Sequence, residues 1–139
     1  SKLQDYPEKD AKAAIQLQQI FYRMTKYFIE NFNTANFLTE ALYHSKAASY
    51  FTNYRVQHFI FVRTLIEQAQ REGDICSDMN SYEIYTTLHS ILIQPIIIKN
   101  NILQQHKNEP LMDKLKLIDV SSESSLQKRL RVAFKGLRP

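Results

Sequence analysis

The side chains with the most obvious chemical potential are four histidines, His44, His58, His89 and His106. Metal binding or acid–base work would need them grouped, or paired with carboxylates at helical spacing as in HExxH or Glu-x-x-His. They stand 14, 31 and 17 residues apart, and neither arrangement occurs. Glu40 and His44 are one helical turn apart and read as a surface pair, too few ligands for a metal site. Cys76 is the only cysteine, so neither an internal disulfide nor a cysteine cluster can form. A lone thiol in a link between helices reads as structural. There is no glycine-rich phosphate loop, no nucleophile elbow and no Cys–His couple. The expectation is a protein that is not an enzyme and uses neither a metal nor a cofactor.

A second kind of chemistry is recognition. Phe21, Met24, Phe28, Phe59, Tyr85, Leu88, His89 and Leu92 recur at helical spacing and could line a cavity between helices. Taken singly, most of them read as ordinary core. Tyr85 and His89 are the informative pair, because a polar tip on an apolar helix needs a partner, either a neighbouring side chain or a ligand.

The elements that would position these residues are helices. With 139 residues the chain fits one domain with one sizeable core. Gly (2) and Pro (4) are scarce while Tyr (8) and Phe (8) are plentiful, which favours long periodic elements over turns. A first helix is predicted from Glu8 to Asn31, after Pro7, with Ala14, Leu17, Phe21, Met24 and Phe28 on one stripe and Ile20 and Tyr27 widening it. A break follows at "NFNTAN". A second helix is predicted from Phe37 to Tyr50, and a third from Tyr54 to Glu72, capped by Thr52 or Asn53 and closed by Gly73. The third presents Val56, Phe59, Val62 or Arg63, Ile66 and Ala69.

"NSYE" has the form of a capping box, Asn80 with Glu83 three residues on, and opens a fourth helix running to Gln105. It carries two stripes, Ile84, Leu88, Ile91, Pro95, Ile98 and Ile102, and Tyr85, Leu92, Ile96 and Leu103. At 1.5 Å per residue it makes a rod of roughly 38 Å, apolar over most of its circumference. Pro95 lacks the N–H that would bond the carbonyl of Ile91, so a kink is predicted between Ile91 and Pro95. A strand at "ILIQPIII" is the weaker reading, because the helical pattern continues on both sides. "NEPLMDKLKLIDVSSES" is a longer connection with room for one helical turn. The last helix, capped by Ser121 or Ser122, buries Leu126, Leu130, Ala133 and Leu137.

The charge is uneven. Lys128, Arg129, Arg131, Lys135 and Arg138 follow the last acidic residue, Glu123, leaving 13 basic against 14 acidic residues elsewhere. A body so nearly neutral argues against a broad nucleic-acid surface. The basic end, with Phe134 its only aromatic, reads as a solvated face. No window is long and apolar enough for a membrane span and no basic-then-apolar leader is present, so a cytoplasmic protein is expected.

A helix ending "LIEQAQREGDI", a short link carrying Asp78, a long apolar helix interrupted by "IQPIII" and a last helix ending "RLRVAFKGLRP" together resemble the C-terminal regulatory domain of the TetR family of transcriptional regulators. The resemblance extends over nearly the whole chain. It implies an all-α domain of five to six helices spanning residues 1–139. In that family the last two long helices, here Ser81–Gln105 and Ser122–Leu137, pack against their two-fold mates as a four-helix dimer interface. Ile91, Pro95, Ile98, Ile102, Leu126, Leu130, Ala133 and Leu137 would then form the contact. The earlier helices would enclose a small effector, apolar or aromatic, on the eight residues named above. Operator DNA would be bound only through an N-terminal helix-turn-helix domain. Nothing before Tyr6 supplies one, so the chain is expected to be a fragment of a longer regulator, with repression the expected direction.

The resemblance therefore points to a regulatory domain in which effector binding shifts the placement of DNA-reading heads. A reading from a different class is a stand-alone helical adaptor that binds another protein through the exposed stripe of the fourth helix, without a ligand pocket. A helical enzyme would need an acid, base or metal set that the sequence does not offer.

Overall fold

The computed structural model describes residues 10–30, 45–106 and 108–139, without the side chains of 45–55. These residues form six helices: α1 (Ala13–Glu30), α2 (Ser45–Arg71), α3 (Ser81–Leu92), α4 (Gln94–Gln105), α5 (Leu111–Lys116) and α6 (Glu123–Gly136), with no strand among them. The chain is all-α. No helix among the described residues is long and apolar enough to cross a membrane.

Helix ends follow from local chemistry. Gly73, at φ +80°, takes the left-handed position after α2. Its N–H donates to the Gln70 carbonyl at 3.1 Å and that of Asp74 to the Ala69 carbonyl at 3.0 Å, the two bonds of a Schellman closure. Asn80 caps α3 by a reciprocal pair. Its Oδ1 accepts from the Glu83 N–H at 2.9 Å, and its own N–H donates to Glu83 Oε1 at 3.1 Å. Ser122 caps α6 by accepting from the Ser125 N–H at 3.1 Å. Each such cap contributes about 1 kcal/mol.

Two predicted boundaries differ. Thr52 and Asn53 do not start a helix, since α2 runs unbroken from Ser45 to Arg71. That stretch contains neither glycine nor proline, so nothing in the backbone opposes continuation. The long fourth helix is two helices, parted at Ile93 with Pro95 in the first turn of α4. The proline acts as predicted, and it does so by ending the ladder rather than only bending it. The predicted start of the first helix at Glu8, the "NFNTAN" break, most of the Phe37–Tyr50 helix and the Glu40–His44 pair lie outside the described residues.

One core joins the elements. Leu17, Ile20, Phe21, Met24 and Phe28 of α1 meet Val62, Ile66 and Ala69 of α2, Ile84, Leu88 and Leu92 of α3, Leu126, Leu130 and Ala133 of α6, and Leu137 just after it. Burying each large side chain contributes on the order of 2 kcal/mol. Val56, expected on the inner face of α2, is exposed. Polar ties fix the layers. Glu72 Oε1 accepts from the Ala13 N–H at 3.3 Å and so caps α1 from the end of α2. Gln70 Nε2 donates to the carbonyls of Cys76 and Met79, and the Cys76 N–H donates to the Leu137 carbonyl at 2.7 Å. The link between α2 and α3 is thus held to both neighbours.

Candidate functional site

α3 packs against α1, α2 and α6, which makes it the wall shared by every layer. Its inner face presents Ile84, Tyr85, Leu88, His89 and Leu92, all buried. Tyr85 stands at the centre of a ring cluster. Phe59 of α2 and Phe21 of α1 lie edge-on to it at 5.4 and 6.1 Å between centroids, and the imidazoles of His58 of α2 and of His89 are tilted against it at 5.4 and 5.7 Å. Phe21 also meets His58 edge-on at 5.9 Å. Edge-to-face packing of this kind suits the ring quadrupoles and holds each ring at a defined angle.

Within the cage, His58 Nδ1 and the Tyr85 hydroxyl share a hydrogen bond of 2.8 Å. Burial pushes His58 down to about 4, because the charged imidazolium would lose its hydration among aromatic rings. At neutral pH the imidazole is uncharged, with one nitrogen able to donate and the other to accept. The arrangement is a packed ring cluster in the core with a hydrogen-bonded neutral imidazole and phenol at its centre. Among the described residues no three His, Cys, Asp or Glu side chains converge as metal ligands. The Cys76 thiol is pushed up by burial and by the neighbouring Asp78.

The eight residues expected around a ligand fall into two groups. Phe21, Phe59, Tyr85 and His89 are brought together in the ring cluster, Phe59 half-buried and the others buried. Met24, Phe28, Leu88 and Leu92 are buried in the same core and offer only apolar surface. His58 was not among the expected ligand residues. Its signal was present, since His58, Val62, Ile66 and Ala69 are spaced as one helical stripe. A separate cleft of about 490 Å³ opens between the start of α1, the Gly73 turn and the end of α6, lined by Lys12, Ile15, Asp74, Phe134 and Arg138 among others. None of the eight lines it.

The residues expected at a dimer contact also divide. Leu126, Leu130, Ala133 and Leu137 are buried in this chain's own core. They are already covered and are not available to a two-fold mate. The outer face of α6 carries Lys128, Arg131 and Lys135, followed by Arg138, all exposed and in no ion pair among the described residues. Two such faces brought together would repel. The α3–α4 half differs. Ile91, Pro95 and Ile102 are half-buried and Ile98 is 51% exposed, so this stripe still has apolar surface to offer.

No family model matches the sequence, and neither the curated proteins nor the solved structures contain a match.

Proposed function

We propose that this chain is the effector-binding and dimerisation domain of a TetR-like transcriptional regulator. The observation that carries the reading is the division of labour on the α3–α4 rod. Its inward face supplies Tyr85 and His89 to the aromatic–histidine cage, and its outward face leaves Ile91, Pro95, Ile98 and Ile102 partly uncovered. One broken helix thereby touches both the place where a small molecule would sit and the place where a second copy would pack. The effector is apolar or aromatic with one polar function that can exchange hydrogen bonds with Tyr85, His58 or His89. In a two-fold dimer the α3–α4 stripe forms the contact, flanked rather than filled by α6. Effector binding changes the bend or tilt of that rod and so the separation of the DNA-reading heads.

The experiment is a thermal-shift screen of neutral aromatic and aliphatic compounds on the chain and on Tyr85→Leu. A ligand bound to the folded state raises the melting temperature by mass action. The reading expects hits whose shifts vanish in Tyr85→Leu, and a screen without stabilising compounds contradicts it.

A second reading is favoured by a specific observation. The exposed cations of α6 oppose self-pairing along that helix and suit an acidic protein partner. On this reading the chain is a helical adaptor that uses the α3–α4 stripe against another protein. It remains monomeric alone and gains no stability from small apolar compounds.

A further inference from the structure

Pro95 leaves two carbonyls without their usual helical donors. Its ring nitrogen has no proton to give Ile91. The Ile96 N–H, which would serve Leu92 in an unbroken helix, donates instead to Ile93 at 3.0 Å, and the Ile97 N–H shares the same oxygen at 3.3 Å. The Leu92 carbonyl is taken by a residue of another helix: Arg129 Nη2, on α6, donates to it at 3.2 Å. Nη1 of the same guanidinium donates to Ser125 Oγ at 2.6 Å, one turn back on α6, so the direction of the group is set by its own helix. Its Nε is buried without an acceptor among the described residues. A half-buried cation with an unused donor is a costly way to close a helix end, and it places a directional contact where the backbone ladder is interrupted.

Elsewhere α6 is held by the apolar Leu126, Leu130, Ala133 and Phe134, by Glu123, which accepts from the Tyr22 hydroxyl at 2.8 Å and Lys26 Nζ at 3.2 Å of α1, and at its end by the Cys76 N–H on the Leu137 carbonyl, none of which reaches the break between α3 and α4. We propose that Arg129 is a latch on the bend: through the Leu92 carbonyl it ties the angle between α3 and α4 to the position of α6, so that neither moves alone. The latch makes the Ile93–Pro95 break a coupled hinge rather than a fixed kink. It holds whether or not the chain binds an effector, since it uses only the chain's own groups.

The test is native-state hydrogen exchange on the full chain, with Arg129→Met and Arg129→Lys each made alone and together with Pro95→Ala. Pro95→Ala restores a donor for Ile91 and lets the Ile96 N–H return to Leu92, which makes the guanidinium dispensable. Loss of a charge-assisted bond predicts about ten-fold faster exchange at Ile93, Ile96 and Ile97 in Arg129→Met. Amides between Val62 and Ile66 in α2 should change less than about two-fold, since local opening at the hinge leaves them protected. In the Pro95→Ala background the same substitution should change the hinge amides less than about two-fold, the signature of coupled sites. Arg129→Lys, with one point donor in place of a fork, should fall between. Equal acceleration in α2 and at the hinge, or the same effect in both backgrounds, overturns the latch. Should Arg129→Met fail to fold, the comparison of Arg129→Lys between the two backgrounds decides on the same terms.

Discussion

His58 and Tyr85 are joined by a 2.8 Å hydrogen bond that ties α2 to α3 inside a ring of aromatic side chains. The bond places a neutral imidazole and a phenol where an apolar core would otherwise close over. Its energetic consequences can be read directly.

Acid should weaken the fold through His58. In the unfolded chain the imidazole takes a proton near 6.5, whereas in the folded chain burial delays this to about 4. The unfolded state therefore binds more protons between those values. The contribution is complete above 6.5, falls as the pH drops through the window, and is gone below about 4. Its size is at most about 3 kcal/mol. Urea unfolding of the chain and of His58→Gln from pH 7 to 4.5 should show a steeper fall for the native residue. Parallel curves would mean that His58 is protonated as easily folded as unfolded.

Removing the Tyr85 hydroxyl keeps the ring packing and deletes the bond. Tyr85→Phe should lower stability by about 1 kcal/mol at neutral pH. Chemical denaturation measures this, and a neutral or stabilising result would show that the hydroxyl contributes nothing to the cage.

The two glycines should behave oppositely. Gly73 sits at φ +80° with open space around a would-be Cβ, so Gly73→Ala is opposed by backbone strain alone and should cost about 1 kcal/mol. Gly136 is in the last turn of α6, also with nothing near, and Gly136→Ala should be neutral or stabilise by up to about 1 kcal/mol. Gly73→Ala should melt below the parent and Gly136→Ala at or above it.

α6 should respond as a core helix. Leu126 is fully buried while Val132 is 62% exposed. Leu126→Ala should cost about 2–5 kcal/mol and Val132→Ala less than about 0.5. The Leu126 penalty should not depend on protein concentration, as it would if the residue filled a dimer contact.

What the sequence showed and what it hid follow one physical line. Gly73, the Asn80–Glu83 box, the Ser122 cap and Pro95 act within a few residues of themselves, and each was legible. Thr52 and Asn53 were overread as a cap, because a capping residue only permits a helix start while a helix without glycine or proline can pass through it. Leu126, Leu130, Ala133 and Leu137 were legible as a buried face. Periodicity cannot say whether the covering surface belongs to the same chain or to a second one, and here the same chain covers them. His58 was passed over although it stood on the Val62–Ile66–Ala69 stripe. The Arg129 contact with Leu92 joins residues 37 apart by a tertiary path that no local pattern encodes.

The most direct test of the regulatory reading is sedimentation equilibrium of the chain and of Ile98→Glu across the micromolar range. Ile98 is the most exposed residue of the α3–α4 stripe and is not part of the core, so the substitution should leave the fold intact. The account expects a species of twice the 16.4 kDa chain mass that Ile98→Glu converts to the single chain. A chain that sediments as a monomer at every concentration, or a dimer indifferent to Ile98→Glu, would contradict it.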